Sequence, residues 1–128
     1  MRAKFLVLPL IAILAAGCAG TRPESGSIED RPRETGVASY YAKKFEGRRT
    51  ASGDRYDGDR LTAAHRTLPF GTKIRVTNLA NDASVVVTVN DRGPFRKNRV
   101  IDVSRRAART LGFISDGTAH VAIEVVDD

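Results

Sequence analysis

The sequence KIRVTNLANDASVVVTVNDRGP, residues 73–94, carries the clearest strand signal in the chain. Residues 73–79 alternate polar and apolar side chains, which is typical of a strand with one buried face. Residues 85–89 are almost uniformly apolar, so we expect a second strand that is buried on both faces. The Asn-Asp pair at 81–82 favours a turn, and the two strands therefore form a predicted hairpin. Residues 90–94 then predict a sharp turn.

Further elements flank this hairpin. Residues 37–41 have strand composition, residues 99–103 predict another strand, and residues 120–126 alternate as a last strand does. Ser104 is a favourable N-cap and Gly112 a favourable C-terminal stop, so a short helix is expected between them. Because strands dominate, and because closure removes exposed strand edges, the pattern favours a small closed β-barrel.

The N-terminus predicts export. Arg2 and Lys4 precede an apolar run over residues 5–16. A membrane-spanning helix needs about 20 apolar residues, so this run is too short to span and has instead the length and flanks of a secretory leader. The Ala-Ala-Gly sequence directly before Cys18 resembles the lipobox of bacterial lipoproteins. We therefore expect a lipoprotein signal peptide over 1–17.

Cys18 is the single cysteine of the chain and is the predicted lipid anchor. Residues 18–35 are polar and rich in Gly, Pro and Ser, which predicts a flexible, lipid-anchored linker. Residues 36–128 form the predicted domain. Ala19, rather than Asp, follows the cysteine, and by resemblance to Gram-negative lipoproteins this indicates the bacterial cell envelope at the periplasmic face of the outer membrane.

The formal net charge of +6 favours an anionic partner: nucleic acid, anionic lipid or an anionic polymer. Export argues against nucleic acid, and no nucleic-acid motif is present. Two distant histidines and one cysteine predict no metal site, and no glycine-rich phosphate loop is found, so no cofactor is expected.

Three polar segments lie between the predicted strands, at residues 50–56, 63–71 and 90–95. Together with GVASYY at 36–41 and RVIDVS at 99–104, they closely resemble the RlpA family (rare lipoprotein A) of septal, cell-wall-associated proteins. This resemblance implies a mainly β fold, a small six-stranded double-psi β-barrel with one or two short helices.

The same resemblance implies a function. RlpA-like proteins are peptidoglycan lytic transglycosylases, which cleave the MurNAc-GlcNAc β-1,4 linkage of peptide-poor glycan strands and leave 1,6-anhydromuramyl ends. The implied partners are peptidoglycan glycan strands, the membrane through Cys18, and division-site proteins. A non-catalytic, expansin-like peptidoglycan-binding module is the alternative. A purely structural envelope lipoprotein is a third possibility.

The resemblance also implies the catalytic residues Asp91, His65 and Asp54. Asp91 is the expected proton donor and acceptor, with His65 as its partner in one open groove. Family members commonly carry Glu where this chain has Asp54, so the carboxylate there is one methylene shorter. The remaining predicted site residues bind substrate, either through carboxylates or by stacking on sugar: Arg92, Arg66, Tyr56 and Phe70.

The residues by themselves leave other interpretations open. Asp91 before Arg-Gly-Pro is also a good turn former, and Asp54 after Ser-Gly is also an ordinary loop residue. His65 is also compatible with a half-buried ring bonded to the backbone. Asp102 is interpreted as a partner of the helix start or of an arginine.

Overall fold

The computed structural model describes residues 33–126. The strands are β1 (Arg33–Tyr40), β2 (Thr62–Ala64), β3 (Lys73–Asn78), β4 (Ser84–Asp91), β5 (Arg99–Val103) and β6 (Ala119–Val125). The helices are a short 3-10 helix (Lys43–Phe45) and α1 (Arg105–Leu111). The predicted leader, Cys18 and most of the predicted linker lie outside the described residues.

The six strands of this region close into a barrel in the order β1-β5-β2-β4-β3-β6. Two neighbouring pairs, β1 with β5 and β2 with β4, run parallel, and the other pairs are antiparallel. The closed six-stranded barrel with one α-helix confirms the predicted fold class. Within residues 33–126 no helix is both long and apolar enough to cross a membrane.

The barrel interior is filled mainly by aliphatic side chains from alternate strand positions. The largest fully buried apolar side chains are Phe113, Ile74, Ile101, Leu111, Val76, Val87, Val89, Val103 and Val121. β4 was expected to be buried on both faces, and this is wrong, because Val86 is 37% exposed. A small closed barrel has one interior, so alternate residues of even an all-valine run face outward.

Helix α1 begins and ends where the capping residues predict. The Ser104 hydroxyl accepts a hydrogen bond from the Ala107 backbone N–H, and it donates one to the Arg60 carbonyl. Gly112 adopts the left-handed conformation, with φ of 80°, and its N–H bonds the helix carbonyls. Both ends therefore satisfy backbone groups that a helix terminus leaves unpaired.

The first two strands differ most from the prediction. β1 begins at Arg33, four residues before the strand predicted at 37–41, because residues 33–35 pair with β6. β2 was not predicted at all. Its three residues lie between β4 and β5, and their pairing with both neighbours makes them a strand.

Candidate active site

An open cleft with a volume of about 440 Å³ lies at the end of β4. Its lining includes two carboxylates, Asp91 and Asp102, and the aromatic side chains of Tyr41 and Phe95. Carboxylates beside aromatic surfaces suit a carbohydrate, since a sugar presents hydroxyl groups at its edge and apolar C–H faces.

Strand register brings the two carboxylates together. Ala64 of β2 pairs with Asp102 of β5 on one side and with Asp91 of β4 on the other. Paired positions on neighbouring strands project to the same face of a sheet. With strands about 4.8 Å apart, the two aspartate backbones lie about 10 Å from each other, and the small Ala64 side chain leaves the space between them open.

A register shift in β4 places Asp91 in this row. The pairing changes from Ala63 with Val89 to Ala64 with Asp91, so Asn90 is an extra residue in β4. Strict alternation after the interior residue Val89 would direct Asp91 into the barrel. The shift directs it to the outer face instead, which is a known use of β-bulges beside active sites.

Three donors converge on the Asp91 carboxylate. The Tyr41 hydroxyl donates to Oδ2 at 2.5 Å, and the backbone N–H groups of Ala51 and Arg92 donate to Oδ1 at 2.8 and 2.9 Å. Hydrogen bonds to a charged acceptor are stronger than neutral ones and fix its orientation. Asp91 is therefore held in one position at the edge of the cleft.

The second carboxylate, Asp102, has a different environment. Burial raises its pKa, the negative charge of Asp91 raises it further, and the hydrogen bond from the Ser39 hydroxyl and the charges of Arg99 and Arg96 oppose the rise. A raised pKa keeps a carboxyl protonated at higher pH, as a proton donor requires.

Sequence reasoning assigned Asp102 to the helix start or to an arginine, and it lies instead in the cleft, bonded to Ser39. The sequence did contain a signal for the outward position of Asp102. Ile101 and Val103 are interior residues, so the residue between them must face outward. Its pairing with Ala64 then decides that this outward position belongs to the cleft.

Tyr41 lines the cleft as well, although it is not one of the predicted substrate-binding residues. Burial raises its pKa, and its hydrogen bond to Asp91 adds to the rise, so the hydroxyl remains a donor. Its ring stacks on Tyr56, with centroids 4.4 Å apart and an interplanar angle of 13°. Tyr56, predicted to stack on sugar, is only 4% exposed and supports Tyr41 from behind.

The expectation that His65 and Asp91 face one groove is wrong. His65 lines a different cavity, together with Glu34 and Leu68. Its Nδ1 accepts hydrogen bonds from the backbone N–H groups of Thr67 and Leu68, so the ring proton is on Nε2, which lies 3.0 Å from Glu34 Oε1. The His65 link to Asp91 is through the backbone, N–H to carbonyl at 3.1 Å.

Asp54 is exposed, and it lines neither the cleft nor the cavity that contains His65. Its backbone carbonyl accepts from the Thr50 amide and hydroxyl, which closes the loop that carries both residues. That loop reaches the site through the Ala51 N–H and not through the Asp54 carboxylate. The geometry therefore gives Asp54 no contact with the two acids.

The two arginines predicted to contact substrate are bonded to backbone carbonyls. Arg66 donates to the carbonyls of Pro94, Arg96 and Arg99. Arg92 donates to the carbonyls of Leu68 and His65, and its guanidinium lies 4.1 Å from the centroid of the Phe70 ring. Both arginines brace the loops around the cleft, which leaves them little capacity to bind a ligand.

Phe70 was predicted to stack on sugar, but a different phenylalanine lines the cleft. Phe70 is 42% exposed, but the Arg92 guanidinium covers one face of its ring, and it does not line the cleft. Phe95 is 81% exposed at the cleft wall and was not singled out from the sequence. An aromatic side chain that stays this exposed beside two carboxylates is the better stacking surface for a sugar.

A second lobe of about 210 Å³ adjoins the main cleft. The two lobes share Tyr41, Phe45 and Asp91, and the second adds Arg48 and Arg49. Asp91 therefore stands where the lobes meet. Among residues 33–126 no three His, Cys, Asp or Glu side chains gather as a metal site would require.

Comparison with known proteins identifies the family of this chain. A family model described as "Lytic transglycolase" matches residues 33–123. "Endolytic peptidoglycan transglycosylase RlpA" of Neisseria meningitidis serogroup B is 57% identical over 93 residues, which cover 73% of this chain and 39% of the relative. The protein of that name from Pseudomonas aeruginosa PAO1 is 54% identical over 95 residues, covering 74% of this chain and 28% of the relative. The chain thus spans less than half the length of these curated relatives.

Solved structures support the fold. The Streptomyces papain inhibitor matches with a TM-score of 0.61 and 23% identity, covering 75% of this chain and 96% of the inhibitor. The apo expansin of Clavibacter michiganensis matches with a TM-score of 0.60 and 23% identity, covering 76% of this chain and 52% of the expansin. At this identity the likeness concerns the barrel alone.

Proposed function

This chain belongs to the RlpA family of lytic transglycosylases, and from that premise we propose that its barrel cleaves the MurNAc-GlcNAc β-1,4 linkage of peptide-poor peptidoglycan strands. The observation that carries the proposal is the pair Asp102 and Asp91, which flank Ala64 in one open cleft. One of these acids has its pKa raised by burial, and the other is held by three donors.

The proposed reaction uses Asp102 twice. Its protonated carboxyl donates the proton to the glycosidic oxygen, and the bond between that oxygen and the muramyl C1 breaks. The C6 hydroxyl oxygen of the same muramyl residue then bonds to C1, and its proton returns to the Asp102 carboxylate. The products are a free glucosamine hydroxyl and a 1,6-anhydromuramyl end, with no water consumed and the acid restored.

Asp91 has the complementary task in this proposal. As the bond breaks, positive charge develops at C1 and the ring oxygen. A carboxylate that is already oriented by Tyr41, Ala51 and Arg92 stabilises this charge without rearranging during the reaction. This assignment moves the acid role from Asp91, where the sequence placed it, to Asp102.

The shape of the site supports a polymeric substrate. The main cleft and the second lobe meet at Asp91, Tyr41 and Phe45, so sugar units can extend to both sides of the reacting linkage. Phe95 on one side offers an exposed ring for stacking.

The proposal is tested by incubating the purified chain with peptide-free glycan strands and analysing the soluble products by mass spectrometry. We expect 1,6-anhydromuramyl ends, which hydrolysis does not produce. Co-sedimentation with sacculi without product would instead favour the expansin-like binding module. If the chain gives no product and does not co-sediment with sacculi, the result would favour a structural envelope protein.

We also propose that the chain is exported and held through lipid on Cys18 at the periplasmic face of the outer membrane, where division-site proteins are expected partners. The support is the Arg2–Lys4 leader, its apolar run and the small residues before the cysteine. Cells given a labelled fatty acid should label the wild type and not Cys18→Ser. Equal label on both would contradict the anchor.

A further inference from the structure

The main cleft contains positive charge that the proposed reaction does not use. Three arginines line it, Arg92, Arg96 and Arg99. The Arg92 guanidinium is bonded to carbonyls of the 65–68 loop. The guanidinium groups of Arg96 and Arg99 have no hydrogen bond or ion pair with any other residue in the described range.

These two arginines are nevertheless held in place by their backbones. The Arg66 guanidinium donates to the carbonyls of both Arg96 and Arg99, and to that of Pro94. The neighbouring Asn98 carbonyl accepts from the Val37 N–H of β1. Because the backbone of this segment is already fixed, less conformational entropy is lost when its side chains bind a ligand.

The charges of Arg96 and Arg99 act on Asp102. Arg99 and Arg96 line the same cleft as Asp102, and the charges of both lower its pKa against the larger effect of burial. Their N–H donors are not used by that carboxyl, however, which is bonded to Ser39. Arginine donors that are close to a reacting centre and unoccupied suit a ligand anion, above all a carboxylate, which a guanidinium binds with two parallel hydrogen bonds.

We propose that Arg96 and Arg99 form a carboxylate subsite beside Asp102 and Asp91, which selects glycan strands that carry a free carboxylate next to the reacting linkage. The inference rests on the proposed function and names the part of the substrate that this end of the cleft binds. The position of Phe95, exposed on the same wall, allows a sugar ring to stack while its substituent reaches the arginines.

Two groups of peptidoglycan offer such a carboxylate. In a peptide-free strand, the lactyl group of each muramyl residue ends in a carboxylate. In a peptide-bearing strand that carboxyl is an amide, and the nearest free carboxylates belong to the stem peptide. Both present the same chemistry to a guanidinium, and the substrates below distinguish them.

The experiment compares three substrates: peptide-free strands, the same strands with their carboxyl groups converted to carboxamides, and peptide-bearing strands. For the wild type we expect KM to be about tenfold lower on carboxylate strands than on carboxamide strands, because hydrogen bonds to charged groups are among the stronger ones. In the double variant Arg96→Gln/Arg99→Gln this difference should disappear through a rise in KM on the carboxylate strands.

Lys97→Gln is the matched control. Lys97 lies in the same loop, is exposed and does not line the cleft, so the variant removes one positive charge without touching the subsite. It should keep the wild-type preference for carboxylate. A second readout is the pH profile, because loss of Arg99 raises the pKa of Asp102 and should move the alkaline limb of activity to higher pH.

If the double variant loses binding to peptide-free strands alone, the carboxylate bound by the subsite is the lactyl group. If it loses binding to peptide-bearing strands instead, the carboxylate belongs to the stem peptide. The proposal is overturned if the double variant binds both peptide-free and peptide-bearing strands as tightly as the wild type does, or if it keeps a wild-type preference for carboxylate over carboxamide strands. Equilibrium binding to the three substrates is measured in parallel. If the wild type binds carboxylate strands more tightly but forms no anhydro product, the proposed function is refuted and the subsite stands. If it forms product but binds all strands equally, the subsite is refuted and the proposed function stands.

Discussion

Asp102→Asn is expected to reduce formation of 1,6-anhydromuramyl product by about 10²- to 10⁴-fold, the usual contribution of a general acid. The amide cannot donate and recover a proton, yet its oxygen can still accept from the Ser39 hydroxyl. The barrel should remain at least as stable as the wild type at neutral pH, because the substitution removes a carboxylate that burial makes unfavourable when ionised. Product yield and thermal unfolding of the two proteins measure both effects.

The pH dependence of stability follows from the same pKa. Because the folded-state pKa of Asp102 lies above its ordinary 3.8, its contribution to stability is complete below pH 3.8 and is lost as pH rises through the folded-state pKa. The Asp102→Asn variant has no ionisable group at this position, so its stability does not decrease for this reason as pH rises. The difference in unfolding temperature between variant and wild type should therefore grow in favour of the variant as pH rises above 3.8.

Ser39→Ala is the control for the acid assignment. The Ser39 hydroxyl lowers the pKa of Asp102, so its removal should raise that pKa further and extend activity to higher pH without abolishing it. Full activity of Asp102→Asn would show that the proton comes from another group. A marked loss of stability in Asp102→Asn would show that the carboxylate is a structural anion.

Asp91→Asn is expected to lower the rate by about 10²-fold or more, as the removal of an oriented electrostatic partner of the transition state commonly does. Unlike Asp102→Asn, it should also destabilise the barrel, by about 1–3 kcal/mol. The reason is that the Asp91 carboxylate accepts from Tyr41, Ala51 and Arg92, and the amide replaces one acceptor by a donor facing the Tyr41 hydroxyl. Chemical denaturation and product yield give the two values.

The variant Tyr41→Phe separates the effect of the Tyr41 hydrogen bond from the effect of the Asp91 charge. It removes one of the three donors and keeps the carboxylate with its two backbone N–H partners. Activity should fall much less than in Asp91→Asn. If both variants lost activity equally, orientation by Tyr41 would matter more than the charge, and if Asp91→Asn kept wild-type activity, the role given to Asp91 would be wrong.

Local pattern was sufficient for much of the fold. The hairpin of β3 and β4, the strands β5 and β6 and the caps of α1 depend on residues that are neighbours in sequence, so alternation and capping chemistry reveal them. β2 carries no such signal. Thr62-Ala63-Ala64 has neither alternation nor strongly strand-forming residues apart from Thr62, and it becomes a strand because β4 and β5 pair with it on both sides.

The site was only partly predictable for a related reason. The sequence placed Asp91 at the end of a strand, which is correct, and predicted that His65 would join it. Ala64 occupies the outward position opposite Asp91, so the next residue, His65, projects to the other side, where Glu34 and the 67–68 backbone bind it. A strand has a period of two residues, so an error of one position reverses the face.

The sequence by itself determined the barrel class, the family motifs and the aspartate at the end of β4, since each depends on residue types at short spacing. Only the tertiary structure decided that Asn90 bulges, that Asp91 therefore turns outward, and that Asp102 from a distant strand stands across Ala64 from it. The physical reason is that strand register is set by pairing between segments far apart in the chain. The face a side chain occupies, and so its neighbours in the cleft, is a property of that pairing.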